Sequence, residues 1–138
     1  MRGMIAVAAA LLAGPGAATP AGAEVPAVAT TLGTWINPHG TVKVRTGMCG
    51  SVLCGHIVWA SAEANADAAE SGVPRLVGTE LLGNYRPAGA GRWRGEVYVP
   101  DMGRRFASTI EPQGVDALRI SGCILGGLIC RSQIWHRA

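Results

Sequence analysis

Four cysteines fall in two close pairs, Cys49 with Cys54 and Cys123 with Cys130, and each pair brackets glycine within a segment of alternating apolar residues. Glycine supplies the backbone freedom of a tight reversal, and a period of two is the signature of a strand with one buried face. Each pair therefore reads as the staple of its own β-hairpin. In the second hairpin Gly126-Gly127 is a strong two-residue turn, and its register pairs Leu125 with Leu128, Ile124 with Ile129 and Cys123 with Cys130. In the first, opposing Cys49 to Cys54 sets Thr46 against Ile57 and Val44 against Trp59. Directly opposed residues of antiparallel strands have Cα atoms about 4.5 to 5.5 Å apart, a separation that a disulfide accepts. Two local bridges are expected.

The same alternation recurs along the chain. Strands are predicted at Gly33 to Asn37, Thr41 onward, up to Trp59, Thr79 to Arg86, Arg92 to Val99, Arg104 to Glu111, Ala117 to Leu125 and Leu128 to His136. Turns rich in Pro and Gly separate them, at Pro38-His39-Gly40, at 87–91, at 100–103 and at Pro112-Gln113-Gly114. Residues 60–72 differ: they are Ala-rich and acidic with no β-branched side chain, which predicts a short surface helix or loop near 61–71 with little to bury. Eight short antiparallel strands in up-and-down order are expected to close into a small barrel, since closure removes the edges; an open two-layer sandwich is the alternative.

Residues 1–23 read as a signal peptide, with Arg2 as basic start, an apolar run from Met4 to Ala13 and Ala21-Gly22-Ala23 as cleavage site. The run is too short to span a bilayer. Residues 24–32 carry no period and read as a flexible lead-in, leaving 33–138 as a single barrel domain. An even number of cysteines after a secretory leader places the protein in the periplasm or outside the cell, with no membrane span after cleavage. Of 12 basic residues one lies in the leader, and nine acidic ones remain, with no run of like charge. That excludes a nucleic-acid footprint.

Catalytic signatures are missing. Cys49, Cys54 and His56, with His39 nearby in sequence, could be drawn as a metal site, but an x4 spacing and an oxidising compartment favour a bridge, so neither metal nor cofactor is expected. The Cys-x-x-Cys of a thiol oxidoreductase and the Gly-x-Ser-x-Gly of a hydrolase are both lacking from the sequence. Glu96, Asp101 and Glu111 could approach one another across a hairpin, though solvated strand ends explain them as well. The aromatic residues say more: Trp35, Trp59, Tyr85, Trp93 and Trp135 all fall on predicted strands, where they either fill the barrel or line a pocket. With Leu118 and Ile120 inward, the hairpin register carries Arg131, Gln133 and Trp135 to the same face. An inward Arg131 calls for an anion or a ring to stack on.

Taken together, Gly33-x-Trp35, Cys49-Gly50-x-x-Leu53-Cys54-Gly55-x-Ile57-Val58, Trp93-x-Gly95, Tyr98-x-Pro100, Gly103-x-x-Phe106 and Gln133-x-Trp135-x-Arg137 resemble the domain of unknown function 2147 family of exported bacterial proteins. Where members usually carry an acidic or polar residue before the Pro, and a Tyr further on, this chain has Val99 and Phe106. The resemblance implies an exported, lipocalin-like barrel and brings no established activity. Lipocalin-like barrels set a C-terminal Arg over the N-terminal Trp, which points to Arg137 as the partner of Trp35, and to Arg131 as second choice. Two functions follow: a monomer binding a small amphipathic ligand through Trp35, Trp59, Tyr85, Trp93, Arg131, Gln133 and Trp135, or a module acting through its outer surface or loops on an envelope protein. Neither requires catalysis.

Overall fold

The computed structural model describes residues 28–124 and 128–138. The leader, the first part of the lead-in and the Gly126-Gly127 turn lie outside the described residues. Eight antiparallel strands form a closed barrel: β1 (Gly33–Ile36), β2 (Val42–Cys49), β3 (Val52–Ala60), β4 (Glu80–Pro87), β5 (Trp93–Val99), β6 (Arg104–Gln113), β7 (Ala117–Ile124) and β8 (Ile129–Arg137). Each strand pairs with its sequence neighbours, and the seam is β1 against β8, with Trp35 opposite Arg137 and Ile36 opposite His136. This is the architecture the alternation and turn spacing imply.

Because consecutive strands reverse direction, the barrel has two distinct ends. At one lie the chain's entry into β1, its exit from β8 and the turns at 50–51, 88–92 and 114–116. At the other lie the turns at 37–41 and 100–103, the β3–β4 connection and the paired ends Ile124 and Ile129. Inward side chains from Val44, Leu53, Ile57, Leu82, Tyr85, Trp93, Ile110, Leu118, Ile120 and Trp135 form one buried cluster with Trp35. The period of two makes this possible, since every second residue of each strand faces the axis.

The Ala-rich segment is the helix α1 (Ala62–Glu70), with Ser61 as N-cap: its hydroxyl oxygen accepts from the Ala64 N–H at 3.1 Å. Ala68 is its buried residue and joins Leu76 in covering the edge of the core. Small side chains let the helix lie close to the barrel. They also leave space beside it.

The first hairpin departs from the register drawn from its cysteines. Cys49 opposes Val52, Gly47 opposes Cys54 and Val44 opposes Ile57, because the reversal is a two-residue Gly50-Ser51 turn with Gly50 at φ 72°, tighter than the loop between the cysteines. The disulfide joins Cys49 to Cys54 diagonally, with Cα atoms 5.8 Å apart. An irregularity between Lys43 and Val44 then turns Trp59 outward, opposite Lys43, instead of inward beside Val44. In the second hairpin Cys123 opposes Cys130, Ile124 opposes Ile129, and the bridge spans Cα atoms 4.1 Å apart. Strand β6 also runs through Pro112 and Gln113, which pair with Leu118 and Ala117, so that turn is at 114–116 rather than 112–114.

Candidate functional site

The end at which the chain enters β1 and leaves β8 is a packed floor. Trp35 is buried, and its indole Nε1 donates to the Thr31 carbonyl and the Thr46 hydroxyl, both at 3.2 Å. Thr46 Oγ1 in turn donates to the Thr31 carbonyl at 2.6 Å, and Trp93 Nε1 donates to Thr31 Oγ1 at 3.1 Å. Residues Thr31 and Leu32, placed by sequence in a loose lead-in, are thus part of the fold: Thr31 is fully buried because two indoles need its oxygens. The Arg137 guanidinium lies over the Trp35 ring, 4.2 Å from its centroid. It donates to three carbonyls, those of Val115 at 2.9 Å, Leu32 at 3.0 Å and Thr30 at 3.3 Å. Gly33 is required here twice over, since its φ is 142° and the Arg137 side chain occupies the space a β-carbon would take. Above the floor, buried Tyr85 donates to Ser108 Oγ at 2.7 Å, and burial pushes its phenol well above the ordinary range. Among the described residues every buried side-chain polar atom has a partner.

The opposite end is hollow. A cavity of about 300 Å³ opens on the inner face of β5 to β8, walled by Val97, Val99, Phe106, Ile120, Ile124 and Ile129, with Met102 from the adjoining turn and Gly122 in the wall. Arg131 and Gln133 are its polar lining residues. Arg131 does face inward by register, opposite Gly122, but it is exposed rather than buried, because this end of the barrel is open to water. Gln133 Oε1 accepts from Trp135 Nε1 at 3.0 Å, which leaves its amide N–H groups to the cavity. Arg104, on the inward register of β6, lies with its guanidinium 5.8 Å from the centroid of the Phe106 ring. Beside this cup a larger cavity of about 650 Å³ separates α1 from the β1–β2 turn; Glu63, Asp67 and Asp101 contribute carboxylates, and Trp135 and His39 line it too. The two cavities adjoin at the Trp135–Gln133 pair and across the 100–103 turn.

Of the residues singled out by sequence, Arg131 and Gln133 line the smaller cavity and Trp135 the larger one. Trp35, Tyr85 and Trp93 are core residues with their polar atoms committed to neighbours. Trp59 lies outside the barrel, 41% exposed, with Lys43 Nζ 5.2 Å from its ring. Glu111 does not face another carboxylate; it pairs with Arg92 at 3.1 Å. The donor atoms of Cys49, Cys54 and His56 lie within 4.8 Å of one another, but both sulfurs are joined to each other, and a disulfide sulfur is not a thiolate ligand. Sequence reasoning missed the 100–103 turn residue Met102 and α1 as cavity elements, and Arg104 as the neighbour of the wall residue Phe106. The signal was there for Arg104, which stands two residues before Phe106 and so shares its face.

These features define a small, closed, up-and-down antiparallel barrel, packed solid at one end and hollow at the other. The chain belongs to the domain of unknown function 2147 family, uncharacterised and conserved in bacteria, which matches residues 33–137. No curated protein and no solved structure matches it. Two disulfides in a small bacterial protein point to an oxidising, extracytoplasmic environment. Among the described residues no helix is long and apolar enough to cross a membrane.

Proposed function

We propose that this is an exported, periplasmic barrel that binds a small amphipathic ligand at its open end. The observation that carries the reading is the apolar cup of about 300 Å³ in which Arg131 and Gln133 are the polar lining groups. An apolar wall with a few convergent polar groups is the common build of a small-molecule site, and the volume lies at the lower end of the usual range. The alternative, an envelope-protein interaction module, draws on the exposed apolar rim formed by Met102, Leu128 and Ile129.

Native mass spectrometry of the protein purified from its own periplasm tests the reading. The expected result is a small added mass that leaves on denaturation and is lost when Gly122→Trp fills the cup. A protein-sized partner retained by both forms, and dispersed by Met102→Asp with Ile129→Asp, would favour the second reading. A bare chain whose cup accepts no added amphiphile would overturn the first.

A further inference from the structure

We infer that the ligand is a single-chain amphiphile with an anionic head, carboxylate, phosphate or sulfate, gripped at the mouth by Arg131 and Arg104; this rests on the ligand-binding reading above. Arg131 lines the cup directly, and Arg104, outside the lining itself, lies on the inward register of β6 with its guanidinium 5.8 Å from the ring centroid of Phe106, a wall residue. Among the described residues neither arginine has an ion pair, a state shared with Arg45, Arg75, Arg86, Arg94 and Arg119; what sets Arg131 and Arg104 apart is their place on the inward register beside the apolar wall. Among the described residues no carboxylate lines the cup. Two guanidinium groups beside an apolar wall therefore present donors with no internal acceptor, and their planar forks match the oxygens of carboxylate, phosphate and sulfate. Gln133 adds an amide whose oxygen is already taken by Trp135, so that side chain too offers donors.

The neighbouring cavity supplies the contrast that orients the ligand. Glu63, Asp67 and Asp101 make that larger space acidic, so an anionic head is repelled from it and drawn to the arginine side of the 100–103 turn. A cup of about 300 Å³ takes one short chain and excludes the two chains of a phospholipid.

Isothermal titration of the intact, disulfide-bonded protein with decanoate, decyl phosphate, decyl sulfate, decanol and decyltrimethylammonium, all below micelle formation, tests this. The expected order is an anionic amphiphile about tenfold or more tighter than decanol, with the ammonium weakest. Arg131→Gln and Arg104→Gln should each remove about tenfold from the anionic ligands while leaving decanol unchanged and the melting temperature within about two degrees. Comparing the three anions identifies the head chemistry. Decanol binding as tightly as decanoate, with both variants silent, would overturn the anionic head and leave the ligand-binding reading standing. Tightest binding of the ammonium would overturn it too. Binding by none of the five would overturn the ligand-binding reading itself.

Discussion

The floor and the mouth of this barrel are built from the same alternating strands and the same residue types, yet they treat arginine and aromatic side chains in opposite ways. At the floor Arg137 covers Trp35 and gives its donors to three backbone carbonyls. At the mouth Arg104 covers Phe106 and Arg131 faces the cup, and among the described residues neither has a hydrogen-bonded or ionic partner. A guanidinium whose donors are satisfied internally stabilises the fold, and one left with open donors is available to an external anion. The same asymmetry runs through the indoles, since Trp35 and Trp93 are sealed against Thr31 while Trp135 borders a cavity. One end is spent on stability. The other leaves its donors open.

The sharpest way to break this contrast is at the floor. Trp35→Ala should cost about 3 to 5 kcal/mol, from the cavity left behind, plus about 2 kcal/mol for the lost guanidinium–indole contact, and lower the melting temperature by more than about ten degrees. A melt within about a degree of wild type would remove the floor's special standing. The disulfides come next, because one staple sits at each end. The chain-entropy account assigns each short loop about 2 kcal/mol, so urea midpoints of Cys49→Ser with Cys54→Ser and of Cys123→Ser with Cys130→Ser should fall by similar amounts. A much larger loss at the mouth would show that the cup depends on its bridge where the floor is held by packing.

Tyr85 lies above the floor and supplies a pH test. Its phenol is raised above the ordinary value of about 10, so below that pH both states keep the proton and the hydrogen bond to Ser108 is fully present. Above it the unfolded chain releases a proton that the folded chain retains, and stability falls by up to about 1.4 kcal/mol per pH unit. Denaturant midpoints between about pH 9 and 11.5 should therefore drop more steeply for wild type than for Tyr85→Phe, which at neutral pH should lose about 1 kcal/mol. Equal slopes would place the phenol in water. The smallest effect is expected at the rim, where Met102→Ser and Ile129→Ser should change stability by less than about 0.5 kcal/mol, both residues being exposed, while weakening amphiphile binding in the same titration.

The sequence made the barrel legible because period two and glycine-centred turns are local signals, and Cys123 opposite Cys130 follows from counting outward from one turn. What it concealed is non-local. The irregularity between Lys43 and Val44 reverses the expected side of Trp59, and no composition marks it. Thr31 belongs to no periodic segment, yet it serves both Trp35 and Trp93, from 4 and 62 residues away in sequence. Arg131 and Gln133 were found by face counting, but whether the face was filled or hollow depended on how eight strands meet at the mouth. Arg104 shares the face of Phe106 by its two-residue spacing, but that spacing alone does not tell an arginine beside a cavity wall from one at a solvated strand end.

The seam carries a consequence for the order of events during folding. The β1–β8 pairing rests on two residue pairs, and the Arg137–Leu32 hydrogen bond that locks it joins groups 105 residues apart. Hairpins from β2 to β8 can form as their residues become available, each closing a short loop at small entropic cost, while the seam must wait for Arg137, more than a hundred residues after Trp35. Until then Trp35 has no Arg137 to cover it, and the edges of β1 and β8 stand unpaired and open to other chains. A chain that lacks Arg137 and its neighbours in β8 is therefore an open sheet with two free edges, and the short β1–β8 seam decides between a closed barrel and edge-to-edge aggregation.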